Sequence, residues 1–404
     1  MSALGLRDHL THRGNVRSSR YGWLRLTPMY SVHLVDELLD ADLRERDGRV
    51  LDPFCGTGTT ALVCAERGIP ADTADINPFL LWLTQVKTHP YTQSDIASAG
   101  LHAEVVVEAA RDTKRGVGWV PPLRNIEKWW EADLLGALSR AWDVLQRCEP
   151  LPARWLLTVA FLRAAIKTAH VTFGHQSMSF RQQSGREGVG LFEAEWREAL
   201  GAILSAAESP IVVGPRTILA DARKLGELEP ASYATIITSP PYCNRMSYVR
   251  ELRPYMYWTG YLTDGRAAGE LDWQAIGGTW GIATSNVAKW EAPPGESVEV
   301  PFEGFDRIVE QIADHSAVLS RYVAKYFHDV VLHAREVVGV VEPAGAVHYV
   351  VGNSKFYDAL VPAEKIYAAV FESVGFEDIS VRVIRKRTSK KELYEFLVSA
   401  RHPG

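Results

Sequence analysis

The chain has 404 residues, of which 47% are hydrophobic and 23% are charged, a composition typical of soluble globular proteins. Its 44 Lys and Arg against 49 Asp and Glu give a net charge of −5, which argues against a protein that coats nucleic acid but allows a local basic face. No apolar run approaches the roughly 18–20 residues of a membrane span, and the length exceeds what one compact core usually needs, so we expect one main domain with a sizeable insertion or a second domain, and no membrane contact.

The N-terminal segment is polar and basic, and residues 1–20 are predicted to form an arm. It lacks the apolar core of a signal peptide. The four cysteines show neither a metal-ligand spacing nor a disulfide framework; they are Cys55, Cys64, Cys148 and Cys243. We therefore expect a cytoplasmic protein without a metal site.

The first motif is a glycine-rich turn that follows a helix predicted after Ser31 and a short apolar strand. Its sequence is Asp-Pro-Phe-Cys-Gly-Thr-Gly-Thr-Thr at residues 52–60, and a helical pattern follows it. Gly56 and Gly58 allow backbone angles and close approaches that a side chain would block, and the next helix offers free N–H groups to a ligand over the turn. Such turns occur in many nucleotide-binding folds, and also where nothing binds.

A second strand is predicted at about residues 71–75, and it is followed by Ile-Asn-Pro. Ribose-binding folds place a carboxylate about twenty residues after the glycines, where it binds the two hydroxyls. Asp75 fits this position best, and Ile76 would then lie beside the adenine of the bound nucleotide. Asp72 is the alternative.

Residues 88–215 interrupt this pattern and are predicted to form a mainly helical insertion. Strong helical patterns occur at residues 134–142, 155–166 and 192–207. Between the last two, residues 168–186 contain no acidic residue. Because Arg, Gln, Ser and His side chains contact phosphates and base edges, we predict that Arg181 and Arg186 bind a nucleic acid; a solvated loop is the alternative.

The second motif follows the insertion. A strand pattern ends at Asp221 and Ala222, and a buried-type strand at residues 235–238 leads into Ser-Pro-Pro-Tyr at residues 239–242. Two adjacent prolines hold an extended, rigid turn and remove two backbone donors, which leaves nearby carbonyls as acceptors.

The stretch after this motif is polar and then rich in Gly and Pro. Residues 243–300 are predicted to form a substrate loop or lid, and Arg245 is a further DNA-binding candidate.

The C-terminal part is predicted to complete a helix-backed sheet. Residues 305–338 predict one long amphipathic helix, a strand follows at 346–354, and a helix over 363–374 has Gly375 as its C-cap. Two further strands, at residues 379–384 and 393–398, flank a basic turn and predict a β-hairpin at the sheet edge.

Together, the two motifs resemble those of the S-adenosylmethionine-dependent DNA amino-methyltransferases, and Ser-Pro-Pro-Tyr resembles the form found in the cytosine-N4 branch. The resemblance covers most of residues 20–87 and 216–400. It implies an α/β fold, a Rossmann-like methyltransferase sheet with helices on both faces and a C-terminal β-hairpin, plus a mostly helical insertion. The catalytic domain would comprise residues 21–87 and 216–404, with residues 88–215 as a candidate target-recognition region.

The resemblance implies S-adenosylmethionine as the cofactor. In this family the carboxylate at the position of Asp221 accepts a hydrogen bond from the adenine amine of the cofactor. The residues expected to bind the cofactor are Asp52, Pro53, Phe54, Gly56, Gly58, Asp75, Ile76, Asp221 and Ala222.

Catalysis is assigned by the same resemblance to Ser239, Pro240, Pro241 and Tyr242. An aromatic amine is a poor nucleophile because its lone pair is delocalised, and hydrogen-bond acceptors can pull its nitrogen toward tetrahedral geometry. The Ser239 hydroxyl and the Pro240 carbonyl are expected to accept from the amine, and Tyr242 to stack on a base flipped out of double-stranded DNA. No covalent nucleophile is required, so Cys55 and Cys243 are interpreted as packing residues.

Three other functions share part of this pattern. Adenine-N6 DNA methylation uses the same chemistry, and Ser-Pro-Pro-Tyr separates the two branches imperfectly. A tRNA guanine-N2 methyltransferase would share the glycine turn, but usually carries Asp-Pro-Pro-Tyr and an N-terminal RNA-binding domain. A non-catalytic DNA-binding subunit would need neither motif intact. A cognate restriction endonuclease is a candidate partner, and either residues 88–215 or residues 243–300 would recognise the target.

Overall fold

The computed structural model describes most of the chain, as residues 19–24, 30–43, 47–172, 179–180, 188–293, 298–387 and 392–404. Residues 1–18 of the predicted arm lie outside these ranges, as do Arg181 and Arg186, and their roles stay predictions.

The strands form one large sheet and two small antiparallel pairs. In chain order they are β1 (Val50–Asp52), β2 (Ala71–Asp75), β3 (Val171–Thr172), β4 (Ser179–Phe180), β5 (Arg216–Leu219), β6 (Tyr233–Thr238), β7 (Val341–Gly352), β8 (Ser354–Phe356), β9 (Ala359–Val361), β10 (Glu377–Lys386) and β11 (Tyr394–Arg401). The large sheet has seven strands in the order β5-β2-β1-β6-β7-β11-β10, and β3–β4 and β8–β9 pair separately. The first five strands of this order run parallel to one another; they are β5, β2, β1, β6 and β7. Strand β11 is antiparallel to both of its neighbours, β7 and β10.

The helices lie between these strands and in the predicted insertion. They are α1 (Val32–Leu43), α2 (Thr59–Arg67), α3 (Pro78–Thr88), α4 (Gln93–Arg111), α5 (Ala132–Leu145), α6 (Leu151–Lys167), α7 (Val189–Ala207), α8 (Tyr248–Trp258), α9 (Gly265–Gln274), α10 (Ile282–Val287), α11 (Phe305–Ala313), α12 (Ala317–Val340) and α13 (Ala363–Ser373), with short 3₁₀ turns at Arg20–Gly22 and Ile126–Lys128. Within the described ranges, none is long and apolar enough to cross a membrane.

Helices cover both faces of the large sheet because successive strand residues point to opposite faces. Val50 and Ile237 pack with α1 and α2 on one face. Leu51 and Ile236 pack with α12 and α13 on the other. Every residue of β6 is buried, as expected for a central parallel strand covered on both sides. The predicted α/β fold, a mostly parallel sheet with helices on both faces and a C-terminal β-hairpin, is confirmed.

Helices α4 to α7 share a hydrophobic core with α8, which follows the second motif. Trp258 lies at its centre, with ring centroids 4.9 Å from Phe161, 5.7 Å from Trp142 and 5.9 Å from Trp130. The prediction of a loop or lid throughout residues 243–300 is therefore wrong for α8. Its polar residues lie on one face, and its aromatic residues fill a core contributed by distant helices.

Two further details differ from the sequence predictions. The helix expected over residues 305–338 is two helices, because α11 ends at Ala313 and Ser316 starts α12 by accepting a hydrogen bond from the N–H of Leu319 at 3.3 Å. Arg20, which the sequence groups with the basic arm, is buried between α3 and α7. Its guanidinium donates to the carbonyls of Lys87, His89, Ala206, Ala207 and Ser209 at 2.6–3.2 Å.

Candidate active site

The two motifs meet at the carboxyl edge of the parallel strands. β1 and β6 are neighbours, so Asp52 and Thr238 end side by side. The Thr238 hydroxyl donates to Oδ1 of Asp52 at 2.6 Å. Ser239 follows directly, so the glycine turn and the Ser-Pro-Pro-Tyr turn leave the sheet next to each other.

Asp52 is enclosed beneath the glycine turn, with 1% of its surface exposed. Its carboxylate also accepts from the N–H of Phe54 at 3.1 Å and from the hydroxyl of Tyr30 at 3.2 Å. Burial raises the pKa of Asp52 to about 6, although these hydrogen bonds oppose the shift. Asp52 and Pro53 are therefore buried, and the Asp52 carboxylate is bound by hydrogen bonds from within the protein. Their binding to a cofactor stays a prediction.

The glycine turn requires its glycines. Gly56 and Gly58 have φ values of 50° and 74°, in the left-handed region that other residues rarely adopt. A Cβ at Gly58 would lie 2.4 Å from the Thr84 hydroxyl oxygen on α3. The turn therefore packs directly on α3.

Lys87 lies behind this turn and is 1% exposed. Its ammonium donates to the carbonyl of Thr57 at 2.9 Å. Burial lowers the pKa of Lys87 to about 8. The ion pairs of the described residues do not include Lys87, so the turn carbonyl is its main polar partner.

Asp75 lies at the end of β2, beside the glycine turn. One carboxylate oxygen accepts from the N–H of Gly56 at 3.0 Å and the other from the N–H of Asn77 at 2.8 Å. Burial raises the pKa of Asp75 to about 6, although these hydrogen bonds act to lower it. Asp75 and Ile76 remain partly exposed at the edge, whereas Asp72 is buried and forms an ion pair with Arg216 at 3.0 Å.

Asp221 lies next to Asp75, since the N–H of Ala220 donates to the Asp75 carbonyl at 3.1 Å. Arg223 binds both Asp221 carboxylate oxygens, at 2.9 and 2.7 Å. Burial acts to raise the pKa of Asp221, but Arg223 outweighs it and the pKa stays below its ordinary value. Asp221 is thus an ionised carboxylate whose negative charge is balanced by Arg223, and it is the residue that the sequence predicts to bind the adenine.

His333 supports this part of the edge from α12. Its Nδ1 donates to the carbonyl of Ala222 at 2.7 Å, and its Nε2 accepts from the hydroxyl of Tyr349 at 2.7 Å. Burial lowers the pKa of His333 to about 4, so the ring is neutral at pH 7. The Phe54 ring contacts it edge-on, with centroids 4.8 Å apart.

Ser239 is partly exposed, and its hydroxyl donates to the carbonyl of Val350 at 3.1 Å. This bond uses the proton of the hydroxyl and leaves its lone pairs as acceptors, and the Tyr242 hydroxyl lies within hydrogen-bond reach of the Ser239 side chain. Pro240 is buried, and the carbonyl of Pro241 accepts from Tyr326 at 2.6 Å. The turn is therefore fixed from β7 and α12.

The sequence analysis expected the Tyr242 ring to offer an open face for stacking, and in the structure the ring is covered. It is 5% exposed, and the Arg387 guanidinium lies over it at 5.2 Å from the ring centroid. A base could stack on this face only after Arg387 moves.

Arg245 is exposed three residues after Tyr242, and its backbone N–H donates to the Tyr322 hydroxyl at 3.1 Å. Arg245 takes part in none of the ion pairs found in the described part of the chain. This site contains no reactive thiol, because Cys55 and Cys243 are buried and burial raises the pKa of both. The described ranges contain no group of three or more His, Cys, Asp or Glu able to hold a metal ion.

Sequence reasoning missed several residues that shape this edge. Lys87, Arg223 and His333 carry no motif, and each contacts the edge through tertiary packing. Arg387 had one signal, since it belongs to the basic turn of the predicted hairpin.

No family model matches the chain. It is 22% identical over 267 residues to the type II methyltransferase M.AvaI of Nostoc sp., which covers 60% of this chain and 55% of that protein. The chain thus spans about half the length of M.AvaI. It is 19% identical over 432 residues to the type II methyltransferase M.BsoBI of Geobacillus stearothermophilus, covering 94% of this chain and 83% of that protein. The chain is similar to these type II methyltransferases.

Among solved structures, the rRNA methyltransferase aviRa of Streptomyces viridochromogenes is 10% identical and covers 98% of this chain and 94% of its own. Its TM-score to this chain is 0.30.

Proposed function

We propose that this chain is a site-specific DNA methyltransferase that transfers a methyl group from S-adenosylmethionine to the exocyclic N4 amine of cytosine. The observation that carries the proposal is the 2.6 Å hydrogen bond between Thr238 and Asp52, which joins a nucleotide-type glycine turn to the Ser-Pro-Pro-Tyr turn at one edge of the sheet. Ligands of open parallel sheets bind at this edge. The similarity to type II methyltransferases supports the same class of reaction.

The cofactor is S-adenosylmethionine, and its ribose is assigned to Asp75. Asp75 is a partly exposed residue, and each of its carboxylate oxygens keeps a lone pair after binding a backbone N–H. Gly56 and Gly58 allow close approach of the cofactor to the backbone. Phe54, Ile76, Asp221 and Ala222 are assigned to the adenine, with Asp221 accepting from the adenine amine while Arg223 holds it in place.

Ser239 and Pro240 are assigned to the target amine. The Ser239 hydroxyl is oriented by its bond to Val350, so its lone pairs can accept from an N–H of the amine, and the Pro240 carbonyl is a second acceptor. These hydrogen bonds draw the nitrogen toward tetrahedral geometry and keep it in line with the methyl group. The nitrogen lone pair would form the new N–C bond as the methyl C–S bond of the cofactor breaks and its electron pair stays on sulfur, which leaves S-adenosylhomocysteine, and the amine proton would pass to solvent.

DNA is the proposed partner, and a cytosine must leave the duplex to reach Ser239. We assign residues 21–87 and 216–404 to the catalytic domain. Target recognition is assigned to the helical region of residues 88–215 together with Arg245, which is exposed close to the second motif. A cognate restriction endonuclease and a cytoplasmic location are part of the proposal.

The test is methyl transfer from labelled S-adenosylmethionine to unmethylated plasmid DNA and to tRNA, followed by nucleoside analysis. We expect N4-methylcytosine in DNA. N6-methyladenine would assign the chain to the adenine reaction, and N2-methylguanine in tRNA to the RNA reaction. DNA and cofactor binding without any methylated product would indicate a non-catalytic subunit.

A further inference from the structure

Arg387 is the residue directly after β10, and its guanidinium lies over the aromatic ring of Tyr242. A Cβ at Gly352 would lie 2.7 Å from Nη1 of Arg387 and 2.9 Å from Cδ2 of Tyr242, so the bare glycine backbone lets both side chains approach. The guanidinium, 5.2 Å from the ring centroid, occupies a face on which a flat base would stack.

Few contacts hold Arg387 in this place. Within the described residues its side chain makes one hydrogen bond, from Nη1 to the carbonyl of Asn353 at 3.0 Å, and no ion pair. Arg385, by contrast, is bound to Glu395 by two hydrogen bonds of 2.5 and 2.9 Å. Because a guanidinium carries five N–H donors, most donors of Arg387 are left for a ligand beside Tyr242.

We propose that Arg387 is a specificity-determining residue that donates hydrogen bonds to N3 and O2 of the target cytosine. The proposal rests on the proposed function and names the group that selects its substrate. The entering base takes the face of Tyr242, and the guanidinium moves from that face to the edge of the base.

The chemistry of the two candidate bases favours cytosine at such a residue. Beside its amine, cytosine presents two neighbouring acceptors, N3 and O2, which match the donor fork of a guanidinium. On the Watson–Crick edge adenine presents only N1 beside its amine, followed by the C2–H group, and its other acceptor near the amine, N7, lies on the opposite side with no neighbouring acceptor. Arg387 therefore favours cytosine over adenine in a pocket whose amine acceptors, Ser239 and Pro240, suit both bases.

The test is a binding cycle between Arg387 and the target base, measured with S-adenosylhomocysteine present so that no methyl group is transferred. Wild type and Arg387→Met are titrated with a duplex carrying the mapped methylation site, and with the same duplex abasic at the target position. Arg387→Met keeps an unbranched side chain over Tyr242 and removes the donors. We expect binding to weaken about 10- to 100-fold on the cytosine duplex and less than about 3-fold on the abasic one.

The matched control is Lys386→Ala, which removes a cation lying 5.7 Å from the Tyr394 ring in the same hairpin. It is expected to leave both affinities unchanged. A second arm needs no variant: the target cytosine is replaced by 3-deazacytosine, which keeps the amine and O2 but has C–H in place of N3. Wild type is expected to bind it about 10-fold more weakly, and Arg387→Met to show little difference.

Equal weakening on the cytosine and abasic duplexes would mean that Arg387 contacts the DNA backbone, and it would overturn the proposal. A loss that only follows a lower melting temperature, or wild-type binding insensitive to 3-deazacytosine, would overturn it too. Failure of the proposed function is observed separately, as a product other than N4-methylcytosine in wild-type reactions.

Discussion

Ser239 separates a catalytic role from a structural one. Ser239→Ala removes an acceptor from the target amine, and we expect single-turnover methyl transfer to fall on the order of 10²-fold, as for one preorganised polar group. Affinity for S-adenosylmethionine should be nearly unchanged. Loss of the hydrogen bond to Val350 should lower the free energy of unfolding by about 1 kcal/mol.

Ser232→Ala is the matched control, because its hydroxyl donates to the carbonyl of Glu229 at 2.7 Å just before the start of the same strand, β6. It should cost similar stability and leave the rate intact. If the rate losses of the two variants simply track their melting temperatures, Ser239 only shapes the turn.

Asp75 predicts a pH dependence of cofactor binding. Ribose hydroxyls bond to the ionised carboxylate, whose pKa is about 6 in the free protein. Affinity for S-adenosylmethionine should therefore be constant above about pH 7 and fall by up to about tenfold per unit below pH 6. Calorimetry over this range measures it.

Asp75→Asn should weaken binding by about 1.5–3 kcal/mol and flatten the profile. The variant is needed because the pKa of Asp52 is also about 6. A folded Asp75→Asn protein with wild-type affinity would remove the ribose role.

At the scale of elements, the glycine turn and α3 are joined by a buried ammonium. The pKa of Lys87 is about 8 in the folded chain and 10.5 as its ordinary value. Between these values the unfolded chain binds more protons, so stability rises with pH. The free energy of unfolding should increase by about 3 kcal/mol from pH 8 to pH 10.5 through Lys87 alone.

Comparing wild type with Lys87→Met by urea unfolding isolates this contribution, because other groups titrate equally in both. At low pH the buried charge of Lys87 destabilises the wild type relative to Lys87→Met. The advantage of Lys87→Met in the free energy of unfolding should therefore shrink or reverse as the pH rises. The exposed Lys224→Met serves as the control and should show no pH-dependent difference. A parallel shift of the Lys87→Met curve at every pH would mean that Lys87 is not a charged buried group.

At the scale of the whole molecule, the net charge of −5 means that the proposed DNA binding must rely on local cations. Arg245→Ala should lower DNA affinity and reduce the slope of log K against log salt by about one unit, the value for one phosphate contact. Arg181→Ala with Arg186→Ala should reduce it by about two units.

Arg266→Ala is the control, since Arg266 is exposed and pairs with Glu270 at 2.7 Å. It should leave the salt slope unchanged. An Arg245→Ala protein with the wild-type slope would remove Arg245 from the DNA interface.

The sequence by itself determined the elements whose signals are local. The strand, glycine turn and helix around residues 50–67, the buried strand β6 and the hairpin of β10 and β11 were all predictable, because apolar spacing, glycines and turn residues act over a few positions. It also placed Asp75, Asp221 and Ser239 at strand ends, and such ends share one edge of a parallel sheet.

Only the tertiary structure decided which of these residues face the cleft and what else surrounds them. Asp52 turned out to be buried, Asp221 neutralised by Arg223, and the Tyr242 ring covered by Arg387. Trp258 was predicted in a loop and fills the core of the helical region. Each outcome depends on side chains from segments distant in the sequence, and close packing of those segments leaves no periodic or local pattern from which to predict it.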